Sequence, residues 1–130
     1  MGFYAFYMWC LAIYVFRARL RSIKSGEVSI KYFKAYTGEG PSERTVLIAR
    51  HYDNQFQVPM LFFIVCTLHI MANTAALSTL ILAWLFVASR LCHSWVHLGG
   101  NNVQKRVITF AAGWIILILL WIQLMDQALR

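Results

Sequence analysis

The chain has 130 residues, of which 60% are hydrophobic and only 13% are charged, whereas an ordinary soluble domain carries about 25% charged residues. This composition argues against a soluble fold and predicts an integral membrane protein. The formal net charge of +7 would fit a nucleic-acid partner only if a soluble domain displayed it, and the sequence leaves no room for one. Basic loops retained on the cytoplasmic side of a bilayer explain the charge instead.

The first predicted span covers residues 2–23. Its apolar run, residues 2–16, is shorter than the roughly 20 residues that cross the hydrocarbon core. We therefore expect the helix to continue beyond the run, with its basic side chains reaching the interface. These basic residues follow the apolar run directly and are Arg17, Arg19 and Arg21. A signal peptide is the alternative, but signal peptides carry their positive charge before the apolar region.

A polar loop follows over residues 24–44, and the second span is predicted over residues 46–72. Ser42, followed by Glu43 and an apolar-periodic run, is typical of a helix start. Pro59 lies inside this span, where it removes one backbone hydrogen bond. We therefore expect a kinked helix whose freed carbonyl is satisfied by neighbouring groups.

Two short turns, at residues 73–74 and 99–102, separate the remaining spans, which are predicted over residues 75–98 and 103–125. Such short connections make consecutive helices antiparallel neighbours. The sequence therefore predicts an all-α fold, an integral membrane four-helix bundle in a single domain over residues 1–130.

The basic residues indicate how the bundle is oriented. All Lys and Arg residues except Arg130 fall within residues 17–50 or residues 90–106. Antiparallel spans bring both regions to the same side of the membrane, and the positive-inside rule assigns that side to the cytoplasm. Both termini are then expected on the opposite side.

Polar residues form a stripe on each of two predicted helices. The second span carries the spacing i, i+4 and i+7 in Arg50, Asn54 and Gln57. The third carries the spacing i, i+3, i+4 and i+7 in Arg90, His93, Ser94 and His97. Each set lies on one helical face, and charged groups inside a span are costly and usually functional. The two stripes predict a cationic pocket for an anionic ligand, because arginine pairs with carboxylates through two hydrogen bonds.

A purely structural explanation of these stripes stays open. Arg50 and Arg90 can be interfacial residues whose charge reaches water, with Asp53 as an ion-pair partner. The Asn and Gln side chains can then hold helices together through hydrogen bonds.

The histidines suggest a further possibility. His93 and His97, spaced i and i+4, present two imidazoles on one helical face, as metal sites do. The glutamate of a metalloprotease helix is absent between them, no third ligand is evident, and several cations lie nearby, so no metal site is predicted. His69 stands alone on an apolar helix and is expected to be a hydrogen-bonded packing residue.

The motifs resemble those of the family of membrane-associated proteins in eicosanoid and glutathione metabolism, the MAPEG family, over nearly the whole chain. The resemblance is carried by Glu43-Arg44, by Arg50-x3-Asn54-x2-Gln57-x-Pro59, and by Arg90-x2-His93-x3-His97 followed by Arg106. It implies a homotrimer of four-helix protomers that binds glutathione near the cytoplasmic face, between neighbouring subunits.

The resemblance also implies a role for each matching residue. Arg106 stabilises the glutathione thiolate, and Arg19 helps from the adjoining subunit. The residues that bind the rest of the tripeptide are Arg50, Asn54, Gln57 and Arg90, with His93 and His97 on the same stripe as Arg90. The chemistry agrees, because a thiol has a pKa of roughly 8.5 and a nearby guanidinium favours its charged form.

This sequence departs from the family pattern at two positions. Gln57 stands where the family commonly has glutamate, and His97 stands where the better-known members have tyrosine. Both features resemble the bacterial branch, so we expect a bacterial inner-membrane protein whose site faces the cytoplasm.

The expected function is that of a glutathione-dependent transferase or peroxidase. Its substrates would be lipophilic electrophiles that arrive through the surrounding membrane lipids. The alternative is a non-catalytic protein of the same fold that binds another anionic ligand or a lipid. No nucleic-acid partner is expected.

Overall fold

The computed structural model describes residues 1–129, and Arg130 lies outside them. Every regular element within this range is a helix, which confirms the predicted all-α class. The helices in chain order are α1 (Gly2–Lys24), α2 (Tyr32–Ala35), α3 (Glu43–Asp53), α4 (Val58–Met71), α5 (Leu77–Leu98) and α6 (Val103–Ala128). A 3-10 turn, Asn54–Phe56, precedes α4.

Three segments of the described chain are long and apolar enough to cross a membrane, namely Glu43–Met71, Leu77–Leu98 and Val103–Ala128. The 23 residues of α1 make a helix about 34 Å long, enough for a hydrocarbon core of about 30 Å. Basic residues near its end lower the mean hydropathy of α1, and this helix is not one of the three apolar segments. That α1 crosses the membrane therefore remains a prediction.

The outer face of α6 is a continuous apolar stripe. Ile108, Ile115 and Ile122 follow one another at intervals of two turns, and their side chains are 68%, 60% and 56% exposed. Trp84 and Trp95 on α5 are likewise exposed. Soluble monomers rarely display so much apolar surface, whereas a bilayer covers it with acyl chains. The stripe thus fits a lipid environment.

By its internal contacts the chain divides into two compact units. The N-terminal unit comprises residues 2–54. The C-terminal unit comprises Met1 and the described residues from Gln55 onward.

In the N-terminal unit, α1 packs on α3. A hydrogen bond of 3.3 Å joins the Tyr7 hydroxyl and His51 Nε2 across these two helices. The helix α3 begins at Glu43 with Ser42 at its N-cap position, as the sequence predicts. The backbone N–H of Ser42 donates to the Glu27 carboxylate, which ties the loop after α1 to the start of α3.

The second predicted span is interrupted rather than merely kinked. After α3 and the 3-10 turn, Gln57 takes φ −103° and ψ −101°, which is outside the helical region, and α4 starts at the next residue. Pro59 is then the second residue of α4, where a helix needs no backbone donor. In a continuous helix, the ring of Pro59 and its missing N–H would face the carbonyl of Gln55. This conflict accounts for a break just before the proline.

In the C-terminal unit, α5 packs along α6, and α4 also packs on α6. The rings of Phe62 on α4 and Phe86 on α5 stack with their centroids 4.3 Å apart. Leu117 and Leu120 on α6 are fully buried. This core fixes α5 against α6 and thereby positions the polar side chains that both helices carry.

His69 joins three segments at the end of α4. Its Nε2 lies 3.2 Å from the Leu120 carbonyl on α6, and its Nδ1 lies 3.0 Å from Thr74 Oγ1 in the connection to α5. A carbonyl only accepts, so Nε2 carries the proton and Nδ1 accepts from the Thr74 hydroxyl. The prediction that His69 is a hydrogen-bonded packing residue is confirmed.

Replacing this histidine tests its structural role. His69→Phe keeps an aromatic ring but removes both hydrogen bonds, so we expect a loss of about 1–3 kcal/mol in unfolding free energy. Thr74→Val removes only one of the two bonds and should cost less than His69→Phe. Thermal unfolding in detergent measures both variants. Equal stability of wild type and His69→Phe would contradict the assignment.

Candidate functional site

The polar stripe of α5 lies on the buried face of the helix. Arg90, His93, Ser94 and His97 are all buried, and the Arg90 side chain is 0% exposed. The side chain of Arg90 therefore does not run out to the membrane surface, which removes the snorkelling explanation for this residue.

The buried guanidinium of Arg90 has no hydrogen-bond partner among residues 1–129 at Nε, Nη1 or Nη2. Its Cζ lies 5.6 Å from the centroid of the Phe110 ring on α6. A cation–π contact of this kind contributes about 0.5–2 kcal/mol. That is less than the several kcal/mol that burial of an ion costs. The contact with Phe110 therefore does not by itself offset the burial of this cation.

The sequence offers this cation no carboxylate nearby within the C-terminal unit. The single acidic residue after Gln55 is Asp126. It lies near the end of α6, 20 residues after Arg106 and thus about 30 Å along the helix axis. The described residues of this unit therefore supply no counter-ion to Arg90.

A glycine on α6 makes room for the arginine. Gly113 is buried, and a Cβ placed on it would lie 3.2 Å from Ser89 Oγ and 3.6 Å from Arg90 Cδ. The Ser89 hydroxyl cannot easily yield, because it donates a 2.7 Å hydrogen bond to the Phe86 carbonyl. Close approach of α5 and α6 at this level therefore depends on the missing side chain.

Filling this space is expected to disable the site. Gly113→Leu forces the Arg90 side chain aside, so we expect a loss of about 1–3 kcal/mol in stability together with loss of anion binding. Gly100→Leu is the matched control, because a Cβ at Gly100 meets no atom within 4 Å. Thermal unfolding measures the loss of stability, and calorimetric titration measures the loss of anion binding. Wild-type binding by Gly113→Leu would show that the packing around Arg90 is not needed.

Arg106 lies in the first turn of α6. Its Nη1 donates a 2.8 Å hydrogen bond to Asn101 Oδ1, while its buried Nε has no hydrogen-bond partner in the described residues. The neighbouring Asn102 caps the helix, since its side chain accepts a 3.0 Å hydrogen bond from the Lys105 backbone N–H. The positive end of the α6 dipole therefore coincides with this guanidinium.

The two arginines and the two histidines form one group, called here the arginine cluster (Arg90, His93, His97 and Arg106). The charges of Arg90 and Arg106 both act on the imidazoles of His93 and His97. The two imidazole rings meet edge to face, with centroids 5.6 Å apart. Four of the eight predicted site residues are thus brought together at one end of the α5–α6 pair.

The other four predicted site residues lie elsewhere in the chain. Arg19, near the end of α1, is half-buried with its Cζ 5.5 Å from the centroid of the Phe33 ring. Arg50 on α3 is exposed, and Asn54, which follows it, is half-buried at the start of the 3-10 turn. Gln57 is exposed at the helix break. A role for these residues in ligand binding remains a prediction.

The sequence reasoning missed three residues of α6 that contact the cluster. Phe110 and Gly113 follow Arg106 at i+4 and i+7, the spacing already used for α3 and α5. Extending that rule to α6 would have found both. Thr109, whose Oγ1 lies 3.1 Å from His93 Nδ1, follows Arg106 at i+3, a spacing that the stripe of α5 also contains.

This geometry suits one kind of chemistry. Arg106 lies in the first turn of α6 and Arg90 is buried beside Phe110 of the same helix, and buried guanidiniums stabilise negative charge more strongly than they would in water. Such a site binds a carboxylate and favours the ionised form of a thiol.

Comparison with known proteins points the same way. The sequence model of the MAPEG family matches residues 1–125. No curated protein and no solved structure matches the chain. The match covers the first two apolar spans completely and the third as far as residue 125, so the chain belongs to the MAPEG family and is a multi-pass membrane protein.

Proposed function

We propose that the protein is a glutathione-dependent membrane transferase or peroxidase that acts on lipophilic electrophiles. The observation that carries the proposal is the fully buried guanidinium of Arg90, which has no hydrogen-bond partner among the described residues. A tripeptide with two carboxylates and a thiol supplies the negative charge that this group lacks. The MAPEG family, which includes glutathione transferases and peroxidases, makes glutathione the first ligand to test.

Each member of the arginine cluster has a proposed task. Arg90 pairs with a ligand carboxylate, and Arg106, with the N-terminus of α6, stabilises the thiolate. His93 and His97 hydrogen-bond the peptide. From the family resemblance we add Arg50, Asn54 and Gln57 to the peptide-binding set, and Arg19 from the adjoining subunit of a homotrimer.

The proposed reaction is nucleophilic attack by the bound thiolate. With an aryl chloride, a C–S bond forms, the C–Cl bond breaks, and chloride leaves with the electron pair. With an organic hydroperoxide, two thiols are oxidised to one disulfide while the peroxide is reduced to an alcohol and water. A lipophilic substrate reaches the site from the bilayer, and we place the site at the cytoplasmic face of a bacterial inner membrane.

Calorimetric titration and a conjugation assay test this function together. Protein purified in detergent is titrated with glutathione, and product formation is then followed with a chlorodinitrobenzene substrate. We expect saturable binding and turnover. S-methylglutathione should bind but give no product, because its sulfur cannot ionise. Absence of heat with millimolar glutathione would overturn the proposal.

A second candidate is a non-catalytic anion-binding or lipid-binding protein of the same fold. Gln57 and His97 favour it, since neither supplies the carboxylate or phenol common at these positions in the family. In that case the titration gives heat with anionic lipid but not with glutathione. Native mass spectrometry gives an independent check of the proposed homotrimer. A monomer or a dimer would exclude the site that its subunits are proposed to share.

A further inference from the structure

Two hydrogen bonds define the proton position on one histidine of the arginine cluster. Thr109 Oγ1 lies 2.9 Å from the Lys105 carbonyl and 3.1 Å from the Arg106 carbonyl, and it donates to these acceptors. The same oxygen lies 3.1 Å from His93 Nδ1. A hydroxyl has one proton. With that proton pointing to a carbonyl, the oxygen accepts from His93, and Nδ1 then carries the imidazole proton.

The surroundings of the ring support this assignment. The opposite tautomer would require the Thr109 hydroxyl to turn away from both carbonyls. In the neutral imidazole, the lone pair is therefore on Nε2.

A hydrogen-bond acceptor in the arginine cluster can bind ligand groups that the two arginines cannot bind. The guanidiniums of Arg90 and Arg106 are donors only, so they recognise carboxylates and a thiolate but no N–H group. A ligand built from amino acids brings amide and ammonium N–H groups together with its carboxylates. A simple carboxylate lacks them. An acceptor beside two donors thus distinguishes a peptide from a plain anion.

We propose that Thr109 is a positioning residue that holds His93 in its Nδ1–H tautomer, so that Nε2 accepts a hydrogen bond from an N–H group of the bound thiol peptide. This inference rests on the proposed function for its ligand but not for its tautomer. It assigns the selectivity for a peptide over a plain anion to the pair His93 and Thr109.

The tautomer is measured on the ligand-free protein. The chain has four histidines, so [15N]histidine labelling gives few signals in solid-state NMR, and His93→Gln identifies the one required. We expect a protonated Nδ1 and an unprotonated Nε2 in wild type and in Thr109→Ser, which keeps the hydroxyl. Thr109→Val keeps the branched shape and should lose this preference. An Nε2–H tautomer in wild type, or an unchanged spectrum in Thr109→Val, would overturn the inference.

Titrations with two ligands then test the selectivity. We expect Thr109→Val to weaken glutathione binding about tenfold while glutarate, a dicarboxylate with no N–H group, binds as in wild type. Thr109→Ser should restore glutathione affinity, which a merely structural defect would not predict. Equal weakening of both ligands would refute the selectivity. Failure of wild type to bind glutathione would overturn the proposed function and the ligand part of this inference, and the NMR result would still decide the tautomer.

Discussion

Arg106→Ala is expected to lower the rate of glutathione conjugation by about 100- to 1000-fold, the range found when one preorganised electrostatic donor is removed from an active site. Arg106 has its guanidinium at the N-terminus of α6, with a hydrogen bond to Asn101 and a buried Nε that has no hydrogen-bond partner in the described residues. Its removal raises the pKa of the bound thiol towards its ordinary value of roughly 8.5. Ultraviolet absorbance of the thiolate and the rate of conjugation measure both consequences.

The neighbouring cation provides a matched control for this variant. Lys105→Ala removes the same charge from the same turn of α6, but the Lys105 side chain is exposed. We expect its rate to stay within about twofold of wild type. If both variants lose activity equally, the effect reflects the general positive potential of the surface. If Arg106→Ala keeps the thiolate absorbance, the role assigned to Arg106 is wrong.

Arg90→Met should have opposite effects on binding and on stability. The methionine cannot pair with a carboxylate, so we expect glutathione affinity to fall at least about 100-fold. The same change removes a buried cation that has no hydrogen-bond partner in the described residues. The ligand-free protein should therefore become more stable by about 1–4 kcal/mol, as other proteins do when buried charges are replaced by apolar side chains. Thermal unfolding with and without glutathione measures the two effects.

An exposed arginine serves as the control for Arg90. Arg17→Met on α1 deletes one charge at an exposed position, so neither affinity nor the unfolding midpoint should change. A ligand-free Arg90→Met protein that unfolds earlier than wild type would mean that Arg90 stabilises the fold itself. Unchanged glutathione affinity in Arg90→Met would remove the main support for the proposed function.

The sequence predicts the helices well because long apolar runs and short polar turns have few other structural solutions. The start of α3 at Glu43 and the packing role of His69 follow from local chemistry. The sequence predicts a disturbance before α4 but not the complete break in the helix. Pro59 indicates that a helix is disturbed, but the backbone of Gln57 shows that the chain opens completely there.

The candidate site was predictable where side chains share a helical face and unpredictable where two helices meet. The stripe from Arg90 to His97 required only the period of one helix. Gly113 and Thr109 share a helical face with Arg106, but their roles depend on which α5 side chains pack against them, and the sequence does not indicate that. The burial of Arg90 with no hydrogen-bond partner among residues 1–129 is likewise a property of packing, since periodicity alone cannot distinguish a buried cation from an interfacial one.

A structure determined with glutathione bound would show through one distance whether Arg90 binds the ligand. We expect a ligand carboxylate within hydrogen-bond distance of the Arg90 guanidinium, with the ligand sulfur beside Arg106. A structure in which Arg90 remains buried without the ligand, while glutathione binds elsewhere or not at all, would contradict this expectation.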